Sequence, residues 1–166
     1  MLRFNERAAT RASGGLRVLV ADDNPVNLML AADMLKLLGI EPLLAGDGAE
    51  AVALAAETPL DLILMDIQMP LLDGLAATKQ IRKIEQDRAH TRVPVVAYTT
   101  SRFKAGVLES CGLDGMLEKP CDIGQLRECL QRWCLPQEDA RTRGKPVAAS
   151  RPFNRSAGHA PRVSER

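Results

Sequence analysis

Four short hydrophobic runs in this chain each stop at a polar residue, two at aspartates, one at a threonine and one at a lysine, a pattern few folds accommodate. Leu16-Arg17-Val18-Leu19-Val20-Ala21 ends in Asp22-Asp23, and Leu60-Asp61-Leu62-Ile63-Leu64-Met65 ends in Asp66. Val93-Pro94-Val95-Val96-Ala97-Tyr98 ends in Thr99, and Leu113-Asp114-Gly115-Met116-Leu117-Glu118 ends in Lys119-Pro120. From Leu16 onward, apolar runs alternate with helical patterns, the cadence of repeated strand–helix units. The run ending in Asp66 is apolar at nearly every position, as in a strand covered by helices on both faces. Five such units imply an α/β fold, a three-layer, doubly wound (βα)5 sandwich. Right-handed crossovers with one reversal of winding give a parallel sheet in the order 2-1-3-4-5. Strand 2 is then at the edge, and the four strands that end in chemistry are neighbours. Ligands of open parallel sheets bind at the carboxyl ends of the strands near that reversal. The acids, the hydroxyl and the ammonium therefore converge on one edge.

The helices carry start and stop signals. Asn24 suits the cap of the first and Pro25 its first position, where no amide donor is needed. Val26, Leu30, Met34 and Leu37 recur as its expected core stripe, and Gly39 suits its stop. A second strand is expected over Ile40–Ala45, a turn at Gly46-Asp47-Gly48, and an alanine-rich helix with Ala49, Val52, Ala53 and Ala56 on one side. The Asp73-Gly74 turn leads into a helix over Leu75–Glu85, and Gln86–Arg92 is a polar connection. A weak helix is expected near Lys104–Leu108. Asp122 caps a clearer last helix, with Ile123, Leu126, Leu130 and Trp133 on one face. Residues 1–15 and 135–166 lack periodicity and are expected to be disordered, the latter as a basic tail. The folded domain is expected over residues 16–134.

Charge and cysteines narrow the function class. The segment from Arg17 to Cys134 has more acids than bases, whereas Arg141, Arg143, Lys145, Arg151, Arg155, Arg162 and Arg166 dominate the tail. An acidic domain with a basic tail is not the footprint of a dedicated nucleic-acid binder. Cys111, Cys121, Cys129 and Cys134 form no C-x-x-C pair and have no matching histidine spacing, so reduced core thiols are expected. Met1-Leu2-Arg3-Phe4-Asn5-Glu6-Arg7 lacks the apolar core of a signal peptide, and no run approaches the roughly 18 apolar residues that span a bilayer. A cytoplasmic protein without a membrane partner is expected.

Three acids, a hydroxyl and an ammonium at one edge make a site for a divalent cation and a phosphoryl group. Magnesium takes oxygen ligands octahedrally at about 2.0–2.1 Å and usually keeps several waters. Asp23 and Asp66 each offer one oxygen, with Asp22 nearby or acting through water. Asp66 can attack phosphorus in line as a carboxylate nucleophile, and such a transfer needs mostly positioning and charge neutralisation. Lys119 supplies a point charge and Thr99 a hydroxyl donor. Singly, most of these residues have ordinary readings. Asp22-Asp23 are acids favoured at a helix start, Thr99 is a capping hydroxyl and Lys119 a surface charge. Asp66, between Met65 and Ile67, is harder to set aside, since an unpaired carboxylate there is costly.

Over residues 16–134 the chain resembles the receiver domain of two-component response regulators. The resemblance is carried by Asp22-Asp23, by Asp66 within Asp66-Ile67-Gln68-Met69-Pro70-Leu71-Leu72-Asp73-Gly74, by Thr99, and by Lys119-Pro120. The wording of Asp23-Asn24-Pro25-Val26-Asn27 and Asp66-Ile67-Gln68-Met69-Pro70 is most similar to receivers attached to, or served by, hybrid sensor kinases. The resemblance implies a flavodoxin-like fold and an aspartyl phosphate on Asp66, donated by a histidine kinase or histidine phosphotransfer protein. It implies magnesium held by Asp22, Asp23, Asp66 and the Gln68 carbonyl, and a cis Lys119–Pro120 bond. It also implies a phosphoryl acceptor with slow autodephosphorylation rather than an enzyme, switching a surface around the fourth helix, fifth strand and fifth helix. Two positions depart from the family pattern: Thr100 stands where Ala or Gly is usual, and Met116 where an aromatic is usual. The alternative is a receiver-like adaptor that binds partners without phosphate chemistry. An aspartyl phosphatase would want an acid where Gln68 stands, and a nucleotide-binding protein a glycine-rich loop after the first strand. No DNA-binding or other output domain is expected after Cys134. The output then belongs to another chain, or this chain is a receiver cut from a larger kinase.

Overall fold

The structure, a computed structural model, describes residues 15–100 and 106–134. The expectations for residues 1–14 and 135–166, and for Lys104 and Ala105, lie outside the described residues. The elements alternate as β1 (Val18–Ala21), α1 (Pro25–Leu37), β2 (Leu43–Ala45), α2 (Gly48–Glu57) and β3 (Leu62–Met65). They continue as α3 (Gly74–Asp87), β4 (Val95–Thr99), α4 (Val107–Ser110), β5 (Gly115–Glu118) and α5 (Ile123–Cys134). The strands are parallel in the order β2-β1-β3-β4-β5, as the alternation predicts. Each strand is shorter than its hydrophobic run, because the ladder begins only where the neighbouring strand is level. At the far ends Ala21 pairs with Ala45 and Met65, Met65 with Ala97, and Thr99 with Glu118. The polar residues that follow therefore emerge side by side.

β1, β3 and β4 are buried throughout, and their side chains alternate between two apolar layers. Leu19, Ala21, Ile63, Met65, Val95 and Ala97 pack under Ala51 of α2 and Ala77 and Ile81 of α3. Val18, Val20, Leu62, Leu64, Val96 and Tyr98 pack under Ala31 and Leu35 of α1 and Leu126 and Leu130 of α5. The caps behave as their residue types dictate. Asn24 Oδ1 accepts from Val26 N at 2.9 Å, Asp47 Oδ1 from Glu50 N at 2.8 Å, and Asp73 Oδ1 from Ala76 N at 2.7 Å. Asp122 Oδ1 accepts from Gln125 N at 2.8 Å while Gln125 Oε1 accepts from Asp122 N at 2.9 Å, a reciprocal capping box. Gly39, at φ +80°, ends α1 and lets Ile40 N donate back to Leu35 O at 2.9 Å.

The faces of α1 and α2 differ from the expected ones. α1 buries Ala31, Ala32 and Leu35, whereas Val26, Leu30 and Leu37 are 55%, 54% and 78% exposed, and of the expected stripe Met34 alone packs partly against the core. α2 buries Gly48 and Ala51, with Ala49 and Ala53 exposed. Both helices are apolar nearly all round, so spacing alone does not phase them. Small residues win the inward face because they let the helix approach the sheet closely. Leu35→Ala is accordingly expected to cost about 2–5 kcal/mol, and Leu30→Ala to stay within about 0.5 kcal/mol of wild type. Urea unfolding of the two variants decides between the faces, and equal losses would restore the sequence-based stripe. α5 needs no such correction, since its charges mark the outer face and Leu126 and Leu130 are buried. The weak fourth helix is a single turn.

Candidate functional site

Asp22 follows β1 directly and is wholly buried. Its amide continues the ladder to Ala45 O at 3.1 Å, while Asp66 N donates to Ala21 O at 2.8 Å, so both acids leave the sheet at one level. Asp22 Oδ1 accepts from Asn24 N at 2.9 Å and from Asn27 Nδ2 at 3.2 Å, which fixes the carboxylate at the start of α1. Asp66 is 7% exposed, and its Oδ1 accepts from Gln68 N at 3.1 Å. Lys119 directly follows β5 and precedes a cis bond to Pro120, with its own amide on Thr99 O at 2.9 Å. Its ammonium donates to Asp66 Oδ2 at 2.8 Å and to Asp22 Oδ2. Asp23, the exposed member of the pair, completes a set of three carboxylates whose oxygens lie within 4.8 Å of one another.

Three carboxylates face one ammonium, so the cluster is net anionic. Hard, crowded anionic oxygens at an open edge are the donor set a magnesium ion takes, and Lys119 alone does not neutralise them. Among the described residues this trio is the one group of three ligating side chains close enough to share an ion. The four cysteines are unbridged thiols and partly buried, and burial pushes the Cys129 thiol up to about 11. Thr99 is buried at the end of β4 beside the lysine backbone, and Thr100 after it is exposed. Gln68, an expected ligand through its carbonyl, is exposed two residues past Asp66. Met116 is 41% exposed on β5 and brings no aromatic group to the edge.

Three residues at the site escaped the sequence reading. Asn27, one turn into α1, braces Asp22; its only signal was a polar position in an otherwise apolar stretch. Gly74, expected in a turn, is also a close approach. A Cβ there would fall 2.0 Å from Asp66 O, so any other residue must displace the backbone that carries the acid. Tyr98 lies on the other face of β4, its ring centroid 4.8 Å from Lys119 Nζ. A concavity of about 560 Å³ lies at the opposite end of the sheet, lined among others by Ala55, Pro59, Leu60 and His90, and takes no part in this constellation.

With this geometry established, known proteins agree on the family. The family model described as the response regulator receiver domain matches residues 18–131. The sensor histidine kinase GacS of Pseudomonas protegens is 37% identical over 132 residues, which cover 78% of this chain and 14% of that kinase. The chain thus spans a small part of such curated relatives. Among solved structures, it resembles the receiver domain of a Pseudomonas aeruginosa sensor histidine kinase with magnesium coordinated in its active-site cleft. That match has 39% identity and a TM-score of 0.64, over 73% of this chain and 98% of the other. It also resembles, at 31% identity and a TM-score of 0.67, a structure from Saccharomyces cerevisiae. That structure pairs a histidine phosphotransfer signaling protein with the receiver domain of its downstream response regulator, and the match covers 72% of this chain and 88% of the other. A five-stranded sheet in the order 2-1-3-4-5, four strand ends that converge on one acidic edge and the family match over its core lead to one conclusion: the chain belongs to the response regulator receiver domain family.

Proposed function

We propose that Asp66 accepts a phosphoryl group from a phosphohistidine on a histidine kinase or phosphotransfer protein. The observation that carries this reading is the Lys119 ammonium bonded to both Asp66 and the buried Asp22, with Asp23 at the mouth. In the transfer, a carboxylate oxygen of Asp66 forms the new O–P bond as the P–N bond of the donor breaks, and the imidazole leaves with its electron pair. Asp22, Asp23, Asp66 and the Gln68 carbonyl would hold magnesium, which when bound neutralises charge on the phosphoryl oxygens. Lys119 offers the group a second cation after exchanging one carboxylate for a phosphoryl oxygen. The Thr99 hydroxyl donates to another oxygen, and its shift reaches β5 through the Lys119 amide. Gly74 keeps the Asp66 backbone in place, so the nucleophile does not have to be ordered during the reaction.

The exposed residues Val26, Met29 and Leu30 begin one turn from Asp23 and rise away from the acidic edge. A protein donor whose imidazole reaches Asp66 has to cover that apolar surface. The receiver is then an acceptor whose altered surface speaks to another protein. Among the described residues no helix is long and apolar enough to cross a membrane.

The test is transfer of labelled phosphate from a phosphorylated histidine phosphotransfer protein. The expected result is an alkali-labile acyl phosphate that forms only with magnesium and is abolished by chelation. Magnesium alone should also raise the unfolding free energy, by about 1.4 kcal/mol at ten times its Kd. Absence of both label and stabilisation would favour the adaptor reading. Trp133 is a poor reporter for this test, because it packs on Gly115 at the opposite end of β5.

A further inference from the structure

β4 ends in Tyr98 and Thr99, whose side chains leave the sheet on opposite faces. Thr99 belongs to the acidic edge. Tyr98 is 5% exposed and sits with Leu117, Leu126 and Leu130 in the layer under α1 and α5. Yet its ring meets the site lysine from below, with Lys119 Nζ 4.8 Å from the ring centroid. Three contacts hold the ring and the lysine together. Tyr98 pairs with Leu117 in the β4–β5 ladder, and Lys119 N donates to Thr99 O at 2.9 Å. Cys121, just past the cis bond, donates its thiol to Tyr98 Oη at 3.7 Å. Burial holds the phenol well above its ordinary range, so the ring stays neutral.

A lysine ammonium sits on a flexible four-carbon stem, and nothing in its covalent structure aims it at two carboxylates. An aromatic face attracts a cation through the ring quadrupole, more strongly when water is excluded. Lys119 has a side-chain exposure of 8%, so both partners are largely out of water. We propose that Tyr98 is a positioning residue for phosphoryl transfer, its ring face keeping the Lys119 ammonium between Asp22 and Asp66. The inference rests on the acceptor reading above and adds to it an aromatic contact on the face away from Met116, at a position where the ring does not swing into solvent.

The experiment compares the wild type with Tyr98→Phe, Tyr98→Leu and Tyr98→Met. It measures the rate of labelling by acetyl phosphate in magnesium and the Lys119 side-chain NMR shifts. Leu and Met should slow labelling by about five- to tenfold and remove the upfield ring-current shift at Lys119 Hε, and Phe should rescue both. In a Lys119→Ala background, Tyr98→Leu should produce no further slowing, because the effect runs through the ammonium. Labelling of Tyr98→Leu and Tyr98→Met at the wild-type rate would overturn the proposal. So would an equal slowing with and without Lys119, which marks a purely structural ring. If Phe is as slow as Leu, the hydroxyl–Cys121 contact is what matters, and the cation–ring assignment fails. Wild-type protein that takes no label removes the transfer reading and the positioning role with it. A labelled wild type matched by the Leu and Met variants removes the positioning role alone.

Discussion

Asp66→Asn is expected to take no phosphoryl label while remaining folded. The substitution keeps the shape of the side chain and an oxygen for the Gln68 amide, which donates to Asp66 Oδ1 at 3.1 Å. It removes the one nucleophile at this strand end, and loss of a nucleophile commonly costs far more than loss of a positioning group. A fall of at least about 10³-fold is expected. Stability should move the other way or not at all. Three carboxylates with oxygens within 4.8 Å repel one another, and Lys119 keeps Asp22 as a partner after the change. The unfolding free energy is expected to stay within about 1 kcal/mol of wild type or to rise, since functional sites carry strain that substitution relieves. Labelling and urea unfolding on the same preparation give both numbers. Equal labelling of the two proteins would sink the assignment of Asp66. A large loss of stability would show that the acid is structural.

Arg82→Ala is expected to cost about 3–5 kcal/mol, the penalty for removing one partner of a buried ion pair. Arg82 is 8% exposed at the end of the sheet away from the acidic edge. Its Nη1 donates to Glu85 Oε1 at 3.0 Å, to Glu85 Oε2 at 2.8 Å and to Val93 O at 2.8 Å. Nη2 donates to Asp114 Oδ2 at 2.6 Å and Nε to Gly112 O at 2.9 Å. Glu85 in turn accepts from Val93 N, and Asp114 from Val95 N, both at 2.8 Å. One guanidinium thus ties α3 to the segments that lead into β4 and β5. Without it Glu85 is left as a buried, uncompensated charge. With a urea slope of about 1–3 kcal/mol/M, the midpoint should fall by more than about 1 M. The exposed pair Lys36–Glu41, at 3.3 Å, is the natural control, and Lys36→Ala should change stability by no more than about 1 kcal/mol. Arg82→Ala no costlier than Lys36→Ala would mean that the buried network is not what holds this end together.

These two sites differ in how far a sequence discloses them. The acids and the threonine were legible because each closes a run of buried strand residues, and the lysine because it ends the last strand-like run. A polar residue at that place has no apolar reason to be there. The strand order followed from the alternation of elements and the hand of the crossovers. The last helix was legible too, since its charges separate one face from the other. The face of α1 was not. Val26, Leu28, Met29, Leu30, Ala31, Ala32 and Leu35 are all apolar, and several phases fit that text equally well. The Arg82 network was invisible for another reason, as Arg82 and Asp114 lie 32 residues apart and no local pattern links them.

Sequence alone determined the layering, the strand order and the chemical groups delivered to one edge, because these follow from local hydrophobic patterns and chain handedness. Tertiary structure decided which groups touch. Only there does one lysine bridge the Asp22 and Asp66 carboxylates, a tyrosine from the opposite layer lie beneath that lysine, and Gly74 press against the backbone of the acceptor acid. Those contacts depend on strand stagger and loop path, set by packing between residues far apart in the chain.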